Sequence, residues 1–297
     1  MMVIAFTRRA TFAAAVRFVR SVATCFFLPQ YETVLRPALR PLVCVDDPLD
    51  RRIPFRPEYV QTYLGFVHLW IKSCHFLFRT FGAASLPAIR DFVEGITSLY
   101  HSASRVYDKC QSTTTRPPCS GNLQLRFIRT VDPHVHCVPS LHVMIVVYTW
   151  LRMEAIIENL RMHAAPSLSR RDFSAEVEYL RREALAITES VLYIKQHSVN
   201  CVPAALFALH DLLEGFTVEA GDRFVDGLFE SDFPDGESRG EIRTHMKRLH
   251  RHFLAEKAAG RVSREVILHF LRSRGVLLSP ARPDGLDRPE PSRLPVT

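Results

Sequence analysis

The sequence predicts an all-α protein, and three observations support this prediction. Glycine is scarce, at 12 of 297 residues, which disfavours the turn-rich connections of β proteins. Long stretches repeat apolar residues at helical spacing, and none alternates apolar and polar residues strongly enough to predict a sheet. Apolar residues make up 47% of the chain, which is enough for the core of one large helical domain or two small ones.

Helices are predicted in succession along the chain, separated by segments rich in proline or polar residues. The predicted helices cover residues 59–79, 87–107, 141–162, 173–191 and 196–215, and helical spacing continues over 242–253 and 262–271. The segments 36–57, 111–122 and 163–172 are predicted loops, and 232–240 is a predicted linker.

These elements divide the chain into four predicted parts. Residues 1–30 form a basic amphipathic N-terminal segment, residues 31–231 a helical domain that carries the motifs described below, and residues 232–277 C-terminal amphipathic helices. Residues 278–297 form a proline-rich tail that we expect to be disordered.

Membrane association is one of two interpretations that the apolar stretches leave open. Residues 59–78 hold a single charge and residues 133–151 hold no acid, lysine or arginine, so both approach the length of a membrane span. The basic N-terminal segment fits a helix lying on a membrane surface. A soluble bundle with very apolar core helices fits the same stretches.

Charge and cysteine content narrow the classes of partner and site. A formal net charge of +7 favours anionic partners such as phospholipid surfaces, phosphorylated substrates or nucleic acid. The seven cysteines include no C-x-x-C pair, which disfavours a zinc ribbon or a thioredoxin-like site, and we expect buried free thiols.

Three motifs occur in order and carry side chains suited to phosphoryl transfer. They are Lys109 with Arg116-Pro117, then Pro139-Ser140-Leu141-His142, then Ser190 with His197. A transferred phosphoryl group needs fixed donors for its anionic oxygens, and arginine, lysine, serine and a helix start provide them. One histidine can attack phosphorus while a second protonates the leaving oxygen.

The three motifs resemble the signatures of the type-2 phosphatidic acid phosphatase superfamily, namely K-x6-R-P, P-S-G-H and S-R-x5-H-x3-D. The resemblance covers about a third of the chain, and the Pro-Ser-Leu-His form looks like the branch of membrane proteins that act on lipids. It implies an all-α bundle of the phosphatidic acid phosphatase/haloperoxidase type, embedded in or associated with a membrane.

The resemblance also implies a function and a set of roles. The chain would hydrolyse or transfer a lipid phosphate ester through a phosphohistidine, with no cofactor or metal and no nucleic-acid partner. His197 would be the nucleophile and His142 the general acid and base. The phosphate oxygens would be held by a set of four motif side chains: Lys109, Arg116, Ser140 and Ser190. We expect Lys109, Arg116, Ser140, His142 and His197 to line one pocket.

Two departures from the family pattern bear on activity. Val191 stands where the family has arginine, and Lys195 is expected to supply the missing charge. Cys201 stands where the family has the aspartate that orients the nucleophilic histidine, and on a continuous helix it would share a face with His197. Asn200 is the alternative orienting acceptor. A catalytically impaired member acting as a non-enzymatic membrane protein therefore stays an alternative.

Two further alternatives rest on other residues. A metal hydrolase would use Asp132, His134, His136 and His142, although His-x-His alone is a weak ligand pattern. A nucleic-acid-binding module would use the basic stretch 243–251, which has little aromatic interleaving.

Overall fold

Helices dominate the computed structural model, which describes residues 6–36, 42–119, 121–231 and 235–275. The α-helices are α1 Arg9–Val22, α2 Leu28–Leu35, α3 Val60–Phe81, α4 Leu86–Tyr107, α5 Leu123–Val131, α6 Leu141–Met162, α7 Pro166–Ser169, α8 Ser174–Tyr193, α9 Cys201–Leu209, α10 Val218–Gly227, α11 Gly236–Ala258 and α12 Ser263–Ser273. A π-helical turn, Ala23–Phe27, joins α1 to α2, and 3-10 turns cover Pro48–Arg52, Pro57–Tyr59 and Gly82–Ser85. The all-α prediction is confirmed.

Helix α6 forms the centre of the bundle and contacts α3, α4, α8 and α9. Apart from His142, its first two turns are apolar on every side, and residues 141–149 are all buried. A helix that is apolar all round must be enclosed by other elements, which explains its central place. The apolar stretches 59–78 and 133–151 therefore contribute core helices of the bundle.

A two-stranded parallel sheet lies beside the bundle. Its strands fall in the segments 36–57 and 111–122, which were predicted to be loops, so that prediction was wrong there. Strand β1, Leu42–Cys44, pairs with strand β2, Gln111–Thr113. Each strand has three residues, which is too short to show an alternating pattern in the sequence. The pairing with β1 fixes the position of β2 and of the segment that follows it, which carries Arg116.

Several predicted helix boundaries were wrong. The helix predicted at 196–215 is reduced to α9, and residues 195–200 form turns instead. The predicted linker 232–240 contains the start of α11, whose first turn is capped by the Asp235 carboxylate. The short helices α5 and α10 were not predicted, because nine or ten residues give little helical periodicity. The predicted disordered tail lies outside the described residues.

The N-terminal helix, Arg9–Leu35, exposes several large apolar side chains. Among the described residues, this 27-residue helix is the one that is long and apolar enough to cross a membrane. Its buried side chains are small or polar: Thr11, Ala14, Ser21, Gln30 and Thr33. Its exposed large apolar residues include Phe12, Val16, Val19, Leu28 and Leu35. Large apolar residues thus lie on both faces of this helix, since Phe18, Val22 and Phe26 pack inward against the core.

The outer face of α4, which packs along the N-terminal helix, is charged. Arg90, Asp91 and Glu94 are exposed on α4, and Glu94 forms an ion pair with Arg17 of the N-terminal helix. The apolar surface is thus limited to one side of this helix pair.

Two helical glycines differ in the space around them. An ideal Cβ on Gly95 of α4 would lie 1.8 Å from the hydroxyl of Tyr148 on α6, so the buried end of this side chain occupies the space beside the glycine. A Cβ on Gly65 of α3 would lie 3.9 Å from Ile187, an ordinary contact. Glycine at position 95 is therefore required by packing.

Candidate functional site

His142 and His197 meet in the interior of the bundle although they are 55 residues apart in the chain. His142 lies in the first turn of α6, and His197 lies in the turn between α8 and α9. His142 Nδ1 is 3.3 Å from His197 Nε2, and Ser140 Oγ is 3.2 Å from the same nitrogen. Ser140 also caps α6, because its Oγ accepts a hydrogen bond from the Val143 N–H at 3.4 Å. Both motif histidines and the motif serine therefore share one nitrogen.

The backbone carbonyl of Cys137 sets the tautomer of His197. His197 Nδ1 is 3.2 Å from this oxygen. A carbonyl oxygen can only accept, so Nδ1 carries the proton and the lone pair of the neutral ring lies on Nε2. That lone pair faces Ser140 Oγ and His142 Nδ1 at hydrogen-bond distance, and it is the lone pair that a nucleophilic imidazole would use.

Neither predicted orienting residue contacts the His197 ring. Because α9 begins only at Cys201, Cys201 and His197 do not share a helical face. The Cys201 thiol instead accepts a hydrogen bond from the Ser198 N–H at 3.3 Å. Asn200 donates to the Val45 carbonyl at 3.0 Å, and its Oδ1 lies 2.8 Å from His245 Nε2. Cys137 thus supplies the acceptor that was predicted at Cys201 or Asn200.

Burial keeps both histidines neutral near pH 7. It lowers the pKa of His197 from 6.5 to about 4. Burial, followed by the charge of His197, lowers the pKa of His142 well below its ordinary value. A bound anion would act in the opposite direction, because a nearby negative charge favours the protonated ring.

Two aromatic rings of α3 hold the His142 ring in place. The ring centroid of Tyr63 lies 4.7 Å from that of His142, and the centroid of Phe66 lies 4.5 Å away. His142 and Phe66 also line a cavity of about 390 Å³ between the N-terminal helix, α3, α4 and α6. The histidine pair therefore borders an apolar space.

The turn that carries His197 is anchored by the 3-10 turn Pro48–Arg52. Asp50 Oδ1 accepts from the Val199 N–H at 2.8 Å, and Lys195 Nζ donates to the carbonyls of Asp50 and Ile53 at 2.5 and 2.6 Å. Lys195 therefore has its ammonium bound to the backbone of the anchoring turn. The predicted phosphate-binding role of Lys195 does not fit this arrangement.

Arg116 lies next to the histidine turn. Its Nη1 donates to the Gln196 side-chain oxygen at 3.4 Å, one residue before His197. Its charge acts with burial to lower the pKa of His134 well below the ordinary value. Arg116 is thus a cation close to the predicted nucleophile.

Arg129 of α5 is a basic residue that the motifs did not indicate. It is buried and donates to the carbonyl of Pro117 at 2.5 Å and to that of Ile194 at 3.4 Å. Its Nε has no hydrogen-bond partner among the described residues, and burial, with Arg116 nearby, lowers its pKa to about 10. Arg129 joins the first motif to the third. A single arginine on a short, unpredicted helix gave no sequence signal for this role.

Among the described residues, two predicted phosphate-binding residues, Lys109 and Ser190, have no recorded contact with the histidine pair. Lys109 is exposed in the turn after α4. Ser190 is buried in α8, where its hydroxyl donates to the Ile187 carbonyl at 2.7 Å. Of the five residues expected in one pocket, contacts gather Ser140, His142 and His197, and Arg116 is a close neighbour.

The residues of the metal-hydrolase alternative point to different partners. His134 Nε2 is 2.8 Å from Thr114 Oγ1, whereas the His136 ring stacks on Tyr107 with centroids 4.1 Å apart. Within the described ranges, no three His, Cys, Asp or Glu side chains are grouped so that they could hold a metal ion.

The basic stretch 243–251 is engaged within the molecule. Lys247 forms an ion pair with Asp226, Arg251 forms one with Asp222, and Arg243 donates to the Leu228 carbonyl.

No family model, curated protein or solved structure matches this chain.

Proposed function

We propose that the chain is a metal-independent phosphoryl-transfer enzyme of the phosphatidic acid phosphatase type, acting on a lipid phosphate ester. One observation carries the proposal: the Nε2 lone pair of His197 faces both Ser140 and His142 in a buried site. In this arrangement His197 can attack phosphorus and His142 can transfer the proton. Ser140 and Arg116 can donate hydrogen bonds to the phosphate oxygens.

The proposed reaction has two displacements at phosphorus. His197 Nε2 attacks phosphorus, the bond to the alkyl oxygen breaks, and a phosphohistidine forms. His142, protonated because the bound phosphate raises its pKa, gives its proton to the departing oxygen. Water then attacks phosphorus, His142 takes one proton from it, and the phosphorus–nitrogen bond breaks to release phosphate. An alcohol in place of water would give transfer instead of hydrolysis.

A catalytically impaired, non-enzymatic membrane protein is the second candidate, and two observations favour it. Lys109 is exposed and the Lys195 ammonium binds two backbone carbonyls, so the cradle for phosphate oxygens would have fewer cations than the family pattern implies. The Cys137 carbonyl orients His197 but carries no net charge to stabilise an imidazolium. Both features lower the expected rate of phosphoryl transfer, and this second candidate predicts no turnover at all.

We also propose that the N-terminal helix lies in the membrane interface. At about 1.5 Å per residue its length would suffice to cross a bilayer. Crossing would, however, bring the charged outer face of α4 toward the hydrocarbon, which is costly. An interfacial position buries the outward apolar residues and leaves those charges in water.

The decisive test of activity is phosphate release from dodecyl phosphate in detergent micelles with a chelator present. We expect slow release that vanadate inhibits, and no release by His197→Asn, which keeps a donor for the Cys137 carbonyl but lacks a nucleophilic ring. His163→Asn, on the surface, is the matched control and should keep the parent rate. Full turnover by His197→Asn would refute the mechanism. Folded protein without any turnover would favour the second candidate.

Membrane association is tested by flotation with vesicles of phosphatidylcholine and phosphatidylglycerol. Phe12→Asp, on the outer face of the N-terminal helix, should reduce binding at least tenfold, because a charge replaces an exposed ring that would insert into the membrane interface. Tyr179→Asp, which also replaces an exposed aromatic residue but on α8, should bind like the parent. Equal flotation of both variants would contradict the interfacial assignment.

A further inference from the structure

The cavity beside His142 is almost entirely apolar and has the N-terminal helix as one wall. Phe18 and Val19 line it from that helix, Phe66 and Trp70 from α3, and His142 from α6. Val19 is itself 64% exposed on the outer side of the N-terminal helix. The cavity therefore lies between the histidine pair and the apolar outer face of the protein.

His142 is the cavity's link to the chemistry. Its ring contacts Phe66 in the cavity wall on one side and His197 on the other. The same side chain therefore belongs to the cavity wall and to the candidate site. An ester oxygen that receives a proton from His142 must lie beside this ring. The carbon chain attached to that oxygen then has an apolar space directly next to it.

Trp70 lies farther from His142 than Phe66 does. It is one helical turn beyond Phe66 on α3, and it packs edge-to-face against Phe18 at 5.2 Å and against Phe6 at 5.8 Å. Trp70 is buried, and Phe18 packs on it from the opposite wall, so the two rings bring α3 and the N-terminal helix into contact at this part of the cavity.

We infer that the cavity takes a single alkyl chain of the phosphate ester and that Trp70 limits the length of chain that fits. The inference rests on the proposed function only for the position of the phosphate. Buried methylenes are gained one at a time, so affinity should rise with chain length until the chain meets the Trp70 ring. Beyond that point a further methylene finds no room in the cavity.

Binding can be measured without turnover. Trp70 and Trp150 are the two tryptophans of the chain, and Trp150 lies elsewhere, against Phe224 at 6.1 Å. In Trp150→Phe, all tryptophan fluorescence therefore comes from Trp70. Dodecyl phosphate brominated at its terminal carbon should quench this fluorescence saturably, and unbrominated dodecyl phosphate should reverse the quenching. Absent or unsaturable quenching would overturn the inference.

Chain selectivity is measured by calorimetric titration, which does not depend on Trp70 fluorescence, with alkyl phosphates from octyl to hexadecyl. In the parent, affinity should increase about fourfold per methylene, equivalent to about 0.8 kcal/mol, and then reach a plateau. In Trp70→Ala the first methylene past that plateau should again give about a fourfold increase. Phe76→Ala is the matched control, because Phe76 lines a separate cavity of about 140 Å³ with Met153 and Leu180. An unchanged plateau in Trp70→Ala, or the same shift in Phe76→Ala, would refute the role of Trp70.

The two assays separate this inference from the proposed function. Saturable quenching in a protein that never releases phosphate would retain the chain site and reject the enzyme. Phosphate release that is independent of chain length would retain the enzyme and reject the chain site.

Discussion

The buried, neutral state of His197 predicts a specific loss of stability in acid. Burial lowers its pKa from 6.5 to about 4, so the folded protein binds this proton less readily than the unfolded chain does. The full contribution of the neutral ring to stability is present above pH 6.5. It is lost progressively as the pH falls from 6.5 to about 4, because only the unfolded state takes up the proton in that window.

The magnitude follows from the size of the pKa shift. At about 1.4 kcal/mol per unit, a shift of this size corresponds to roughly 3 kcal/mol between about pH 7 and pH 4. The buried His250, whose pKa burial also lowers to about 4, adds a second contribution in the same direction. The free energy of unfolding should therefore fall steeply in mild acid.

Urea unfolding of the parent and of His197→Asn at a series of pH values measures the contribution of His197, together with the effect of its charge on His142. Asparagine keeps a donor toward the Cys137 carbonyl but does not titrate. We expect the parent to lose roughly 3 kcal/mol more than the variant between about pH 7 and pH 4. His250 titrates in both proteins and cancels in the difference. A difference that stays constant with pH would refute the burial of a neutral His197.

Two further predictions concern packing around the site. Cys201→Asp should not increase turnover, because the thiol contacts the backbone and not His197. The same variant should lower the free energy of unfolding by roughly 2–4 kcal/mol, because it buries a carboxylate. A folded variant at least tenfold faster than the parent in the dodecyl phosphate assay would contradict the geometry. Gly95→Ala should lower the melting temperature, at a cost of about 1–3 kcal/mol from overpacking, whereas Gly65→Ala should be neutral or stabilising by up to about 1 kcal/mol. Equal melting temperatures for the two alanine variants would show that the Tyr148 side chain can move away from position 95 at little cost.

Local sequence patterns were sufficient for the main helices and for part of the site. The predicted helices 59–79, 87–107 and 141–162 match α3, α4 and α6 within two residues, because apolar periodicity is a local property of the chain. Ser140 and His142 could be placed together at a helix start for the same reason. The two short strands, α5 and α10 were missed because each is too short for its periodicity to show.

Only the tertiary structure decided how the candidate site is supported. The Asp50 carboxylate binds the turn that carries His197 across 149 residues of sequence, and no local pattern encodes such a pair. The same long-range packing binds Lys195 to backbone carbonyls and gives His197 the carbonyl of Cys137 as its acceptor. A backbone acceptor has no residue-type signature, so the sequence indicated which histidines could react, whereas the packing of distant segments decided which atoms orient them.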